Sequence, residues 1–230
     1  KNQIKYFNTS NLERYKEYKK INPNMKINQI VLDVNIGLDK PFYTNVRSAT
    51  NLNTSYILVN KYNYLEEDYI PNNLTNINGI KLVDYAGKSF IDMINNAKDE
   101  NLTIIGISGY RSYNYQNNLY NKYAQIDGIA KADTYSARAG YSEHQTGLAV
   151  DVSNNKLPYT EFENTEEFSW MDKNAHKYGF ILRYPKNKEN ITGYEFENWH
   201  IRFVGKDNAK IIYENDLTLE EYIDLYIKKY

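Results

Sequence analysis

The sequence predicts an α+β fold, in which helices flank a central, mainly antiparallel sheet and an N-terminal extension precedes this unit. Three observations support this class. Short apolar runs typical of strands recur along the chain, segments with apolar residues at helical spacing lie between them, and no internal repeat or low-complexity tract interrupts the pattern. At 230 residues, the chain is long enough for one sizeable domain with a smaller attachment.

The N-terminal region is predicted to contain one helix and one strand. A polar helix is expected over residues 10–21, with Ser10 as its N-cap, and Asn22-Pro23-Asn24 ends it. Residues 29–36 alternate apolar and polar side chains, which predicts a strand. A second apolar run covers residues 55–61.

An irregular connection is predicted to follow. Residues 63–78 contain Pro71 and many polar side chains, which is typical of a loop. We therefore predict an N-terminal attachment at residues 1–77 and a larger domain at residues 78–230. The attachment is expected to pack on the larger domain or to be linked to it.

The larger domain is predicted to begin with a helix, a strand and a second helix. Apolar residues at helical spacing predict a helix over residues 87–101, and the LTIIGIS run at 102–108 predicts a buried strand. The second helix is expected from Ser112 to about Ile126. Residues 127–141, which contain two glycines, are predicted to form a loop.

The second half of this domain is predicted to supply the other strands. Residues 147–152 (GLAVDV) alternate as a half-buried strand does, with Asp151 facing a cleft. A helix is expected over residues 166–178, with Gly179 as the residue that ends it. Further strands are predicted at 180–184 and 199–204, and further helices at 209–214 and 218–229.

The composition excludes several classes of function. The 28 basic and 29 acidic residues nearly balance, so we expect no nucleic-acid partner. The absence of cysteine excludes disulfides, thiolate metal ligands and a cysteine nucleophile. No apolar run reaches the ~18 residues that a transmembrane helix needs. The chain starts at Lys1, which suggests a processed product from which a signal peptide or N-terminal anchor could have been removed.

The three histidines suggest a metal site. His144 and Asp151 lie close together in the sequence, and His200 belongs to a different predicted strand. Two imidazoles and one carboxylate, with a fourth position open for water, suit a hydrolytic zinc. Spacing alone nevertheless favours a hydrogen-bonded structural histidine over a metal ligand. His176 is predicted to be structural, since no second ligand stands at metal-binding spacing on its helix.

Two further side-chain types could take part in catalysis. A carboxylate near the metal but not bound to it can move a proton, and both Glu197 and Glu195 lie within one turn of His200. Spacing does not choose between them. Arg111 ends a predicted strand and is open to two interpretations, as a helix-start residue or as a clamp for an anion.

Three sequence blocks resemble the VanY-type D-alanyl-D-alanine carboxypeptidases, which are zinc peptidases grouped with lysostaphin and the hedgehog-like fold. They appear in the family's order between residues 102 and 205, and the run at residues 58–61 (LVNK) also resembles the segment before the catalytic domain. The blocks are Ser108-Gly109-Tyr110-Arg111-Ser112 followed by Gln116, then Ser142-x-His144-x-x-Gly147-x-Ala149-x-Asp151, and then Glu197-x-Trp199-His200-x-Arg202-Phe203-Val204-Gly205.

This resemblance implies the metal ligands and the base. It implies that His144, Asp151 and His200 bind Zn2+ and that Glu197 is the catalytic base. The chain has Asn198 where the family usually has proline, which frees a φ angle and adds an N–H group. Glu197 is therefore expected to be held less rigidly, and Glu195 stays a minor alternative base.

The resemblance also implies how substrate is bound and what is cleaved. Arg111 would stabilise the polarised carbonyl or the substrate carboxylate, and Gln116 and Ser142 would contact the peptide end. The implied activity is zinc-dependent removal of the C-terminal D-Ala from peptidoglycan stem peptides. An L,D-carboxypeptidase, a D,D-dipeptidase, a wall endopeptidase and a non-catalytic wall-binding module are the alternatives. Residues 127–140 and 154–167 are expected to set specificity.

The implied substrate also predicts where the protein is located. A wall peptidase must work outside the cytoplasmic membrane, so the resemblance implies a secreted or anchored protein of a bacterial, Gram-positive envelope. We expect this protein to act as a monomer.

Overall fold

The computed structural model describes residues 6–229, which open with two helices, α1 (Leu12–Ile21) and α2 (Ile27–Ile36). The two helices share a small core of their own, to which Tyr15, Ile30, Val31 and Val34 contribute. The helix predicted at residues 10–21 is confirmed. Its predicted cap is wrong, because Asn8 accepts a hydrogen bond from the Ser10 N–H at 3.0 Å and caps a short 3-10 turn before α1.

The strand predicted at residues 29–36 is wrong, because this segment is helix α2. Apolar side chains at every second position over so short a run also include i and i+4 pairs, so both periodicities fit. The polar residues between them are not on a solvent face. Asn35, for example, accepts a hydrogen bond from the Tyr15 hydroxyl at 2.6 Å, which helps to hold the two helices together.

The segment before the larger domain is more regular than predicted. It contains the parallel pair β1 (Arg47–Ser48) and β2 (Asn63–Tyr64), and then the hairpin β3 (Leu74–Ile77) and β4 (Ile80–Val83). Two of these strands fall in the predicted irregular connection. The missed signal is the Asn-Gly pair at 78–79, where both residues have positive φ as a tight hairpin turn requires.

Residues 49–65 pack into the same core as the larger domain. Ile57, Val59 and Leu65 are buried in one cluster with side chains of the central sheet. The predicted division at residue 77 stays a prediction, and the described contacts join the two sides closely.

The helix, strand and helix predicted next are present as α3 (Asp84–Asp99), β5 (Ile105–Ser108) and α4 (Tyr113–Asp127). Strand β5 is half-buried and not buried, since it lies at the edge of the sheet. The loop predicted at residues 127–141 is also wrong in part. Gly128 ends α4, and the chain then forms helix α5 (Ile129–Tyr135) beside it.

The remaining predicted helices and strands are confirmed, and one short helix is added. Helix α6 (Glu166–Asn174) runs into a 3-10 turn at Ala175–Tyr178, which Gly179 closes with a φ of 86°. The other elements are β6 (Ala149–Ser153), β7 (Phe180–Leu182), α7 (Glu189–Thr192), β8 (His200–Phe203), α8 (Lys206–Glu214), α9 (Leu219–Tyr222) and a π-helical turn at Ile223–Ile227.

The central sheet has the strand order β5-β6-β8-β7, and all its neighbours are antiparallel, so the predicted α+β class is confirmed. Strand β6 is buried along its whole length and not half-buried, because both neighbours and both faces are covered. Its register pairs Asp151 with His200 on β8. Directly opposite residues of an antiparallel pair point to the same face, so these two side chains meet.

No helix within residues 6–229 is long and apolar enough to cross a membrane.

Candidate metal centre and active site

Three predicted ligands converge at one end of the central sheet. The Oδ1 atom of Asp151 lies 3.1 Å from Nδ1 of His200 and 3.3 Å from Nε2 of His144. All three residues are buried, and one ligand atom from each lies within 4.8 Å of the others. Side chains from two distant parts of the chain thus present two nitrogens and one oxygen to a single point.

The sequence around His144 explains how it reaches this point. Residues Glu143–Thr146 form a 3-10 turn, in which the Ser142 hydroxyl accepts a hydrogen bond from the His144 N–H at 3.4 Å. Gly147 closes the turn with a φ of 68°, which only glycine adopts readily. The Nδ1 atom of His144 is 2.7 Å from the Gly109 carbonyl and donates to it, so its Nε2 lone pair faces the cluster.

The donor set fits a zinc ion. The Oδ1 atom of Asp151 is buried and makes no hydrogen bond, although two imidazole nitrogens lie close to it. A buried carboxylate oxygen without a partner is costly unless a cation binds it. Zn2+ takes nitrogen and carboxylate ligands in tetrahedral sites, and three protein ligands leave one position for water or substrate.

Glu197 is the carboxylate that stands beside these ligands. Its Oε2 atom lies 3.4 Å from Nδ1 of His200, and the side chain is buried. Burial raises its pKa to about 8; the positive charge of His200 opposes this shift, and the charge of Asp151 adds to it. A carboxyl group with a raised pKa in a cleft is suited to accepting and releasing a proton near neutral pH.

Glu195, the alternative base, lies on the surface. Its carboxylate accepts hydrogen bonds from Lys131 Nζ and Thr134 Oγ1, each at 2.6 Å, and about half of the side chain is exposed. This ion pair holds Glu195 away from the ligand cluster. The structure therefore favours Glu197 over Glu195.

Arg111 lies directly against the cluster. Its Nη2 atom donates to Oδ2 of Asp151, and its Nε atom donates to the Ser108 hydroxyl at 2.9 Å. The backbone N–H of the same residue donates to the His144 carbonyl at 3.2 Å. Burial alone would raise the pKa of Asp151, but the nearby His144, His200 and Arg111 hold it well below its usual range. Of the two interpretations of Arg111, its position favours the anion clamp.

Comparison with known proteins places this arrangement in a family. The sequence profile of the VanY family, D-alanyl-D-alanine carboxypeptidase, matches residues 79–206. This span is more than half of the chain. The chain belongs to the VanY family. The family predicted from the three sequence blocks is confirmed.

Known relatives cover most of this chain. A D-alanyl-D-alanine carboxypeptidase of Enterococcus faecium is 36% identical over 75% of this chain and 58% of its own length. The solved structure of the LdcB LD-carboxypeptidase is 39% identical, with a TM-score of 0.69, over 78% of this chain and 92% of that one. A mutant of the vancomycin resistance D,D-pentapeptidase VanY, solved with Zn(II), is 34% identical, with a TM-score of 0.66. The match covers 74% of this chain and 98% of that one.

Asn198, which stands where the resemblance leads us to expect proline, is held by hydrogen bonds, as is its neighbour Glu197. Its side-chain amide donates to the Thr160 carbonyl at 2.9 Å, and the neighbouring Glu197 N–H donates to the Tyr184 carbonyl at 3.1 Å. Asn198 is almost fully buried. The turn that carries Glu197 is therefore bonded to Thr160 and Tyr184. These contacts argue against the looser hold that was expected from the absence of proline.

The two predicted substrate-binding side chains are both buried. The Gln116 amide donates to the Ala137 carbonyl at 2.7 Å, and its Oε1 atom has no hydrogen-bond partner. Ser142 caps the turn that carries His144. The structure thus gives Ser142 a local structural contact, and substrate binding by Gln116 and Ser142 stays a prediction.

His176 lies outside this site, as predicted. Its imidazole stacks on the ring of Tyr213 with centroids 3.9 Å apart. This contact joins the turn after α6 to α8.

The sequence did not indicate a buried group of four charges behind the ligands, which we call the rear cluster: Glu143, Arg183, Arg202 and Glu220. Glu143 Oε1 accepts from Arg183 Nε at 2.8 Å and from Arg202 Nη1 at 2.7 Å. Arg183 also donates to both oxygens of Glu220. The sequence places Glu143 and Arg202 inside the two ligand-bearing blocks, but it does not show that the two side chains pair.

Proposed function

We propose that this VanY-family protein is a zinc-dependent peptidoglycan carboxypeptidase that removes the C-terminal D-Ala from stem peptides, acting as a D,D-carboxypeptidase. The observation that carries the proposal is the convergence of His144, Asp151 and His200 with Glu197 beside them. A non-catalytic module would not need a buried acid with a raised pKa next to the ligands.

The chemistry is peptide hydrolysis by an activated water. Zinc held by His144, Asp151 and His200 supplies a Lewis acid that polarises a carbonyl and lowers the pKa of a water molecule. Glu197 takes a proton from the attacking water and passes it to the nitrogen of the leaving D-Ala. The C–N bond breaks, and the shortened peptide keeps the new carboxylate.

Arg111 supplies positive charge on the same side of the cluster. Its side chain is partly exposed, and its planar fork can bind Asp151 and a second anion together. We assign to it the developing oxyanion or the terminal carboxylate of the peptide. By holding Oδ2 of Asp151, it also leaves Oδ1 available for the metal.

An L,D-carboxypeptidase is the second candidate. The observation that favours it is the LdcB relative, which is more similar to this chain than the VanY complex, at 39% against 34% identity. Both activities use the same metal chemistry and differ in the stereochemistry of the residue before the scissile bond. Residues 127–140 and 154–167 are the segments in which we expect this choice to be made.

A pair of synthetic peptides separates the two candidates. A stem pentapeptide ending in D-Ala-D-Ala and a tetrapeptide ending in a single D-Ala are incubated with the protein, and mass spectrometry identifies the products. We expect loss of one D-Ala from the pentapeptide, and no cleavage after treatment with a chelator. Preferential cleavage of the tetrapeptide would favour the L,D activity. No cleavage of either peptide by the zinc-loaded protein would contradict the carboxypeptidase proposal.

We also propose that the protein works in the bacterial cell envelope, because its substrate lies outside the cytoplasmic membrane. Fractionation of producing cells with an antibody against the protein tests this. Recovery from the wall or the medium is expected, and recovery only from the cytosol would contradict it.

A further inference from the structure

The two nitrogens of His200 have different surroundings. Nδ1 lies in the ligand cluster, 3.1 Å from Asp151 Oδ1. Nε2 points the other way, is buried and makes no hydrogen bond. The charged atom closest to it is Oε2 of Glu143 at 3.7 Å, which is also buried and without a partner. A displacement of less than about 1 Å would bring this pair to ordinary hydrogen-bond distance.

Glu143 is held firmly in this position. Its other oxygen, Oε1, accepts hydrogen bonds from both Arg183 and Arg202, and none of the three side chains is exposed. Two guanidinium groups that donate to the same oxygen favour the charged form of the carboxylate. A charged carboxylate can only accept hydrogen bonds, so Oε2 can satisfy an N–H group but not a lone pair.

The ring of His200 has little freedom to turn. The Tyr184 ring packs against it with centroids 4.9 Å apart, and the His144 ring stands edge-on at 4.9 Å. The orientation of the imidazole is therefore set by its packing, and what remains to be chosen is which nitrogen carries the proton.

From these contacts we propose that Glu143 is a positioning residue, which accepts a hydrogen bond from Nε2–H of His200 and so directs the Nδ1 lone pair to the metal. The proposal rests on the zinc function proposed above. Glu143 is next to the ligand His144 in the sequence, but in space it is the outer partner of the ligand His200. Outer partners of this kind fix the tautomer of a metal-binding histidine.

The N-terminal segment completes the surroundings of Glu143. Arg202 Nη2 donates to the carbonyls of Ser55 and Ile57, at 3.1 and 2.7 Å, and the Asn60 amide donates to Glu220 Oε1 at 3.1 Å. These bonds close the rear cluster against water. Ser55 and Ile57 thus hold Arg202, one of the two arginines that donate to Glu143, although they lie far from the metal ligands in the sequence.

Replacement of Glu143 by glutamine makes a sharp test, because the geometry dictates which way the amide must face. Arg183 and Arg202 both donate to the Oε1 position, so the glutamine oxygen must occupy it. The amide NH2 then faces Nε2 of His200 and requires a lone pair there, which places the proton on Nδ1. Glu143→Gln should therefore oppose metal binding while keeping the size of the side chain.

Glu220→Gln is the matched control. It removes the same charge from the same cluster, but Glu220 contacts Arg183 and not His200. Zinc affinity of the full chain is measured by competition with a chromophoric chelator at fixed pH. We expect Glu143→Gln to weaken zinc binding by about 10- to 100-fold, and Glu220→Gln to leave it within about threefold. Equal losses in both variants would show that cluster charge, and not the Glu143 contact, matters.

Nitrogen-15 NMR of the zinc-loaded wild-type protein gives a second readout that does not depend on the stability of a variant. We expect His200 to carry a solvent-protected proton on Nε2. A proton on Nδ1, with Nε2 bare, would overturn the proposal. If zinc binding behaves as expected but no stem peptide is cleaved, the proposed function fails while this inference stands.

Discussion

The two sides of the His200 imidazole belong to two differently built regions of the molecule. On the front side, Glu197 and Arg111 flank the ligand cluster, in which Oδ1 of Asp151 faces two imidazole nitrogens without a hydrogen bond. On the rear side, the four residues of the rear cluster are almost completely buried, and they carry two negative and two positive charges. The carboxylate on the front side needs a cation as its partner, whereas the charges on the rear side are paired with one another.

This difference indicates that the two regions have different roles, one in positioning the imidazole and one in binding ligands. Charges that are paired and hydrogen-bonded inside the protein are fixed in place, because removal of one partner would leave the other buried and uncompensated. Charges left without partners in a partly open site are available for a metal, a water or a substrate. We therefore expect substitutions at Glu197 on the front side to change catalysis and substitutions at Arg183 on the rear side to change stability.

The largest effect is expected for Glu197→Gln on the front side. Glutamine keeps the shape of the side chain but cannot take up the proton, so kcat should fall by about 10³-fold, equivalent to about 4 kcal/mol of transition-state stabilisation. Zinc content should not change, because His144, Asp151 and His200 remain. Turnover of a stem peptide and metal analysis of the same sample measure both quantities.

Glu195→Gln is the control for this substitution. It makes the same chemical change two residues away, on a carboxylate that pairs with Lys131 at the surface. Its kcat should stay within about twofold of the wild-type value. A larger loss for Glu195→Gln than for Glu197→Gln would contradict the choice of base.

The next effect is expected for Arg183→Met on the rear side. This change leaves Glu220 without its guanidinium partner and removes one of the two bonds to Glu143 Oε1. Removing one partner of a buried ion pair typically costs about 3 kcal/mol of the free energy of unfolding. Urea unfolding measures the loss. Lys131→Met, which breaks an exposed pair, should cost less than about 1 kcal/mol, and equal losses would contradict the comparison.

The candidate ligands could be predicted from the sequence through the resemblance of the three blocks, whereas spacing alone favoured a structural histidine over a metal ligand. Gly147 and the alternation after it put Asp151 on a strand that the structure contains. The pairing of Asp151 with His200 depends on the register of β6 and β8, which no sequence pattern predicted; the resemblance implied only that both residues bind Zn2+.

The rear cluster and helix α2 could not be predicted in this way. Glu143 meets Arg183 forty residues later in the chain, so no local pattern reports the contact. In α2, alternation of Ile, Leu and Val fitted a strand as well as a helix, and packing against α1 decided the outcome. Partners that are distant in the sequence account for both failures.

The smallest effect is expected at Glu167, which fastens the segment 154–167 beside the front side. Its carboxylate accepts hydrogen bonds from Lys156 Nζ at 2.7 Å and from the Asn154 amide at 3.0 Å. Burial opposes its charge, but these two bonds outweigh burial and lower its pKa from 4.5 to about 2. Lys156 is largely exposed, so we expect the carboxylate to contribute only about 1–2 kcal/mol to the free energy of unfolding.

The sign of the pH dependence follows from this lowered pKa. Between about pH 4.5 and pH 2 the unfolded chain binds a proton at Glu167 that the folded chain does not, so the stabilisation is complete above this range and is lost as the pH falls through it. Glu167→Gln should therefore be less stable than the wild-type protein at pH 6 and nearly equal to it near pH 2. Urea unfolding of both proteins across this range isolates Glu167, because their difference removes the titration of groups common to both. A difference that does not change with pH would mean that packing of the side chain, and not its charge, holds this segment.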